Sequence, residues 1–331
     1  MTLLIGPIRI SDPVLLAPMS GVSDLPFRTL VSSFGVGLLF TEMVASNVIH
    51  RQSAKMLGIT RITSSDPPTV VQLLGRDPAL MGEAASLCRD LGASMIDINL
   101  GCPARKVVGG LAGSALMRKE NLVQKIISSV VAAVDIPVSV KMRTGWDIRT
   151  RNAPKLAKIA EECGAKMITV HGRTRCQFYT GDSDWEFIRN VVDAVNIPVI
   201  GNGDINTVAD AEKMLRVSGC SGVMVGRGSQ GRPWFPSQLM YYLRTGTALT
   251  EPSRQQKIKA IFRHLDDMLT FYGLERGLRI ARKHLGWYAR GLLLPKDTRQ
   301  LLLQARDTKS IHSLLETAIV EDHKLSRVRA A

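Results

Sequence analysis

The sequence predicts an α/β chain: a closed (β/α)8 barrel of the TIM type followed by an all-helical C-terminal domain. Three observations predict it. Eight short apolar runs recur, each followed by a stretch of helical character. One segment repeats at an interval of two β/α units. Beyond residue 250 the chain keeps helical periodicity and has no strand-like run.

The runs are Val14–Met19, Leu38–Met43, Thr69–Gly75, Met95–Leu100, Pro137–Arg143, Met167–Gly172, Pro198–Gly203 and Gly222–Gly226. They are rich in Val, Ile and Leu and mostly do not alternate apolar with polar residues. Strands covered on both faces have this character, as in a parallel sheet. Between them, Asn121–Val134 and Asn152–Cys163 space their apolar residues as helices do. Eight such units fit a closed barrel; a doubly wound open sheet commonly uses fewer strands. The repeat is Ala133-Val134-Asp135-Ile136-Pro137-Val138, echoed 61 residues later as Ala194-Val195-Asn196-Ile197-Pro198-Val199. Both copies put a Pro where a helix has ended and a strand opens.

Leu243–Ser253 contains Gly246 and Pro252 and lacks apolar periodicity. A domain boundary is expected there, with the barrel in residues 1–245 and a helical domain in residues 251–331. The expected C-terminal helices are Arg254–Tyr272, Gly277–Arg290 and Thr298–Leu325.

The net charge of +14 points to a polyanionic partner. Residues 251–331 hold 16 Lys/Arg against 9 Asp/Glu, while the first 250 residues hold 27 against 20. The last quarter thus carries half of the excess, and nucleic-acid contact is expected to lean on it. Five Cys, an odd number without any C-x-x-C spacing, argue against a disulfide framework and a zinc site. The opening Met-Thr-Leu-Leu-Ile-Gly-Pro has no basic n-region. No apolar run approaches the ~18–20 residues of a membrane span. A cytoplasmic protein with no membrane contact and no metal is expected.

In barrels of this kind the reactive residues gather at the C-terminal ends of the strands. The fourth run ends in Asn99-Leu100-Gly101-Cys102-Pro103, followed by Gly109, Gly110 and Gly113. A thiol placed there suggests a general acid on a mobile lid; the plainer reading is a small buried hydrophobe. The fifth run carries Lys141, costly inside a strand unless it meets a negative or electron-rich partner such as a reduced flavin ring. The sixth ends in His171-Gly172-Arg173-Thr174-Arg175, three potentially cationic side chains that favour an anion. The seventh and eighth end in Gly201-Asn202-Gly203-Asp204 and Gly226-Arg227-Gly228, where this fold commonly binds phosphate through backbone N–H groups. From the first and third, Pro18 and Met19 could form an apolar bed under a planar ring, with Gln72 bonding its edge.

Together these segments resemble the tRNA-dihydrouridine synthases over nearly the whole chain. The resemblance rests on Ala17-Pro18-Met19-Ser20-Gly21-Val22-Ser23-Asp24, Asp97-Ile98-Asn99-Leu100-Gly101-Cys102-Pro103 and Lys141-Met142-Arg143-Thr144-Gly145-Trp146. It continues in His171-Gly172-Arg173-Thr174-Arg175, Gly201-Asn202-Gly203-Asp204-Ile205, Gly226-Arg227-Gly228 and Arg279-Ile280-Ala281-Arg282-Lys283-His284. Gly231-Arg232-Pro233-Trp234 and the Arg-Lys-His helix look most like the family's B-type branch, which implies action on the D-loop uridine at position 17 of tRNA. The resemblance implies FMN held by Pro18, Met19, Ser20, Gln72, Lys141, His171, Asn202, Gly203, Asp204, Gly226 and Arg227. It implies NADPH as reductant, Cys102 as the proton donor, and Asn99, Lys141, Arg173, Arg282 and Lys283 as contacts to tRNA. Ser20 departs from the family, whose members often have Ala there. The chain is expected to work as a monomer.

Two rival readings are an FMN barrel acting on a free pyrimidine base and a non-catalytic RNA-binding regulator with a degenerate barrel. The basic helical tail argues against the first. The intact set of Cys102, Lys141 and His171 argues against the second.

Overall fold

The computed structural model describes residues 2–49, 58, 60–62 and 67–317. Eight parallel strands close a ring: β3 (Val14–Leu16), β4 (Leu38–Phe40), β6 (Thr69–Leu74), β7 (Met95–Leu100), β8 (Val138–Arg143), β9 (Met167–His171), β10 (Val199–Asn202) and β11 (Gly222–Val225). β11 pairs back onto β3, and β4 pairs with both β3 and β6. Each of the eight apolar runs holds one of these strands. The first stops at Leu16, three residues short of the expected end. Pro18 lies just beyond and has no N–H to extend the ladder.

Three further strands were not anticipated. β1 (Leu3–Ile5) and β2 (Ile8–Ile10) form an antiparallel hairpin turned at Gly6, whose φ of +58° suits a tight two-residue turn. Leu3, Ile5 and Ile10 pack against Leu15, Phe40, Met95 and Met167 and fill the lower barrel. β5 (Val44–Ala45) is a short extension alongside β6.

Alternation along the strands divides the barrel wall. Ile96, Ile98 and Leu100 of β7, and Val138, Val140 and Met142 of β8, face outward into the main core. The Glu120–Ala133 helix meets them with Val123, Ile126, Ile127 and Val130, one helical stripe. Burying each such side chain stabilises the fold by about 1.5–3 kcal/mol. The helices expected at Asn121–Val134 and Asn152–Cys163 are observed at Glu120–Ala133 and Ala153–Glu162.

The Phe235–Thr245 helix ends at Gly246 (φ +70°), and the next begins at Ser253, which caps it together with Gln256. The Arg254–Tyr272 and Leu274–Gly291 helices share a core of Ile258, Ile261, Leu265 and Met268 against Leu278, Ala281, Leu285 and Tyr288. The single helix expected over Thr298–Leu325 is instead two. Lys296–Gln304 ends at Ala305, and a second helix starts beyond Asp307, which accepts from the Ser310 N–H as a cap. Residues 318–325 of that expectation lie outside the described residues. Among the described residues no helix is long and apolar enough to cross a membrane.

Candidate active site

The inward-facing residues stack in layers, as a period of two along each strand dictates. Val70, Met95, Met167 and Ile200 form an apolar lower layer. Two residues further along each strand lie Gln72, Asp97, Thr169 and Asn202. One more step brings Asn99 and His171 to the rim, beside Lys141 of β8. The C-terminal strand ends open into a cavity of about 530 Å³. Pro18, Met19, Ser20, Gln72, Asn99, Cys102, Lys141, His171, Asn202, Gly203, Asp204, Gly226 and Arg227 all line it.

Cys102 sits on a turn that is held from two sides. Asn99 Oδ1 accepts from the N–H of Gly101 at 3.0 Å and of Cys102 at 2.9 Å. The Cys102 carbonyl accepts from Ser114 Oγ at 2.8 Å and from Ser114 N at 3.1 Å. Gly113 permits this closure: at φ +59°, a Cβ there would lie 2.8 Å from the Cys102 carbonyl. The glycine-rich stretch expected as a lid therefore packs back on the thiol-bearing turn. Burial pushes the thiol up, and Ala104 N–H, Arg143 and Lys141 offset this only in part.

Lys141 Nζ donates to Asn202 Oδ1 at 3.0 Å, and Asn202 Nδ2 donates to the Met224 carbonyl at 2.8 Å. Burial lowers the Lys141 ammonium, and Asp97 below it opposes the shift. His171 is driven well down by burial and by Lys141, Arg143, Arg173 and Arg227, so its imidazole is neutral at pH 7.

The three cationic side chains expected to converge after the sixth run do not. His171 is neutral. Arg173, 3% exposed, forms a bidentate pair with Asp204 and donates to the carbonyls of Thr180 and Gly181. Arg175 lies over the rings of Trp146 and Phe178. The cation left at the cavity edge on this side is Arg227, half-exposed and 3.0 Å from Asp204. Burial pushes the Asp204 carboxyl up, but Arg173, the Ser183 N–H and Arg227 outweigh it and hold it below its ordinary value. Asp204 adopts φ +56°, a left-handed conformation that Asp tolerates better than most residues.

A second cavity adjoins the first through Ser20 and Met43 and runs between the barrel rim and the C-terminal helices. Lys283 lines it and donates to the Gly21 carbonyl. Arg282 is exposed and lines neither cavity.

Arg143 and Tyr179 also line the cavity, beyond the residues that the sequence predicts. Arg143 Nε donates to the Gly101 carbonyl at 3.0 Å, and one of its terminal nitrogens to Thr174 and Phe178. Its place two residues beyond Lys141 on one strand could have revealed it. Tyr179, 54% exposed, reaches the cavity from a loop and leaves no periodic signal.

Solved structures share this architecture. The chain is similar to histamine dehydrogenase from Rhizobium sp. 4-9, at 11% identity and a TM-score of 0.57, covering 80% of this chain and 50% of that one. It is similar to a 2-naphthoyl-CoA reductase at 11% identity and a TM-score of 0.56, covering 74% and 52%. These likenesses concern the fold. A family profile described as "Dihydrouridine synthase (Dus)" matches residues 15–324. The protein is therefore a (β/α)8-barrel oxidoreductase.

Relatives narrow this further. The chain is 48% identical to the "Probable tRNA-dihydrouridine synthase" of Rickettsia conorii, over 97% of this chain and 98% of that one. It is 46% identical to the "tRNA-dihydrouridine synthase B" of Xanthomonas campestris pv. campestris, over 91% of each. Its counterpart of the same name in Pseudomonas aeruginosa is 44% identical over 92% of each. This chain belongs to the dihydrouridine synthase family.

Proposed function

We propose that the chain reduces the C5–C6 bond of a uridine in tRNA, using FMN in the mouth cavity and NADPH as the source of electrons. The observation that carries the reading is the Cys102 turn, hydrogen-bonded to Asn99 at the mouth of a cavity that Lys141, on the neighbouring strand, and Asn202 also line.

The cavity's own chemistry fits a flavin mononucleotide. Ala17, Pro18, Met19 and Met224 offer an apolar bed. Gln72, Lys141 and Asn202 offer polar contacts along one edge. Gly203, Gly226 and Gly228 also line the cavity, beside Arg227. Glycine backbone and one cation suit a phosphate. The bound flavin would supply hydride for C6 of the base.

The chain's own residues do the rest. Lys141 places positive charge where negative charge grows during reduction. Asn99, whose amide lines the cavity, would meet the edge of the base. Cys102, kept protonated by burial, would deliver its proton to C5 from the side opposite the hydride. A positioned acid contributes about 10²–10⁴-fold in rate. The base must leave its stack to enter so deep a site. The net charge of +14, half of it beyond residue 250, supports a polyanionic substrate over a free pyrimidine.

On the likeness to the B-type branch, the target is a D-loop uridine, position 17. Mapping dihydrouridine in tRNA from cells lacking the gene tests this. Loss at that position alone is expected. Retention of dihydrouridine at every position contradicts the reading.

A further inference from the structure

Beneath the cavity lies a buried carboxyl group that the reaction proposed above does not use. Asp97 is 0% exposed on β7, does not line the cavity, and faces the barrel interior one step below Asn99. Its Oδ1 accepts from Ser139 Oγ at 2.6 Å and its Oδ2 from Gln72 Nε2 at 2.7 Å. Gln72 Oε1 accepts from Asn99 Nδ2 at 2.7 Å. Asn99 Oδ1 then accepts the N–H groups of Gly101 and Cys102. Burial pushes the Asp97 carboxyl up to about 7, against Ser139, Gln72 and Lys141, the charged group facing it from the next strand, so it is ionised above that pH.

An ionised carboxylate can only accept hydrogen bonds. It therefore forces the NH2 of Gln72 downward and its carbonyl upward. That carbonyl forces the NH2 of Asn99 toward Gln72, leaving its carbonyl to the Cys102 turn. Were Asp97 able to donate, both amides could reverse. The NH2 of Asn99 would then oppose two N–H donors, and the turn would lose both anchors.

We propose that Asp97 is a positioning residue: its ionised carboxylate sets the direction of the hydrogen-bond relay through Gln72 and Asn99, and so holds Cys102 in place. The proposal rests on the reading above only for the use to which the turn is put.

The test is Asp97→Asn in the full flavin-loaded chain, an isosteric change that supplies a donor. Iodoacetamide labelling of Cys102, read by peptide mass spectrometry, reports on the turn without turnover. At about pH 8.5, where the wild-type carboxylate is ionised, labelling should rise about tenfold with two anchoring bonds weakened. Single-turnover reduction of unmodified tRNA should slow about 10²-fold, with KM within about threefold of wild type. A folded variant with wild-type labelling overturns the proposal, whether turnover is kept or lost.

Ser139→Ala covers the case in which Asp97→Asn does not fold. It keeps the carboxylate but removes one donor, so Asp97 takes up a proton at higher pH. Its Cys102 labelling relative to wild type should exceed one at about pH 7.5 and return to one by about pH 5.5 and again by about pH 9.5. A ratio of one throughout overturns the proposal. If wild-type protein reduces no tRNA at all, the reading of the reaction fails, while labelling still decides the role of Asp97.

Discussion

Tyr272 Oη donates a 2.8 Å hydrogen bond to Asp24 Oδ2, joining the last residue of the Arg254–Tyr272 helix to the N-cap of the Leu25–Phe34 helix. Asp24 Oδ1 meanwhile accepts from Phe27 N at 3.1 Å. Gly21 is gripped nearby, its N–H by Glu42 and its carbonyl by Lys283. The C-terminal helices thus hold the loop that carries Pro18 and Met19 into the cavity.

Burial pushes the Asp24 carboxyl up to about 6, against the Phe27 N–H and the Tyr272 hydroxyl. The Tyr272 bond favours the ionised form. Its contribution is therefore full above pH 6 and falls as the pH drops through that value. Tyr272→Phe should cost about 1.5–3 kcal/mol at alkaline pH and less in acid. Urea unfolding at pH 8 and pH 5 checks this; equal losses at both contradict it.

Cys102→Ala should lower single-turnover dihydrouridine formation by about 10²–10⁴-fold. Asn99 and Ser114 bind the backbone of residue 102, so the turn should survive. Flavin content and thermal midpoint should stay at wild-type values. A rate within about tenfold of wild type would remove Cys102 as the acid.

His264 and His284 lie in the core shared by the C-terminal helices and Phe27, with ring centroids 4.7 Å apart. Burial lowers His264 to about 3 and drives His284 well below its ordinary value, with Lys283 adding to both shifts. The unfolded chain thus binds protons first. Stability is full above about pH 6.5 and falls as the pH drops below it, by about 1.4 kcal/mol per pH unit for each imidazole. Neither His284 nitrogen has a hydrogen-bond partner. His284→Phe should therefore flatten the acid side of the stability curve and cost little at pH 8. An unchanged acid slope, measured by denaturant titration, would contradict this account.

The barrel was legible because strands covered on both faces leave continuous apolar runs, and Pro137 and Pro198 mark where two of them open. The N-terminal hairpin was not, because three-residue strands carry too little periodicity to register. The break at Ala305–Asp307 was missed because the apolar pattern continues across it; only the Asp307 cap marks it. At the site, thirteen of the anticipated residues meet in one cavity because strand ends and glycine turns place them there. The partner choice of Arg173 was not legible. A sequence shows a cation but not that Asp204, 31 residues on, neutralises it inside the wall.

The central claim is a reducible flavin facing a proton-bearing Cys102 across the target base. Anaerobic mixing of NADPH-reduced protein with tRNA that lacks dihydrouridine tests it most directly, with flavin absorbance and dihydrouridine yield followed together. The account predicts that flavin reoxidises as tRNA is added, with one dihydrouridine formed per flavin. Flavin that stays reduced in the presence of tRNA, or purified protein with no flavin absorbance, would contradict it.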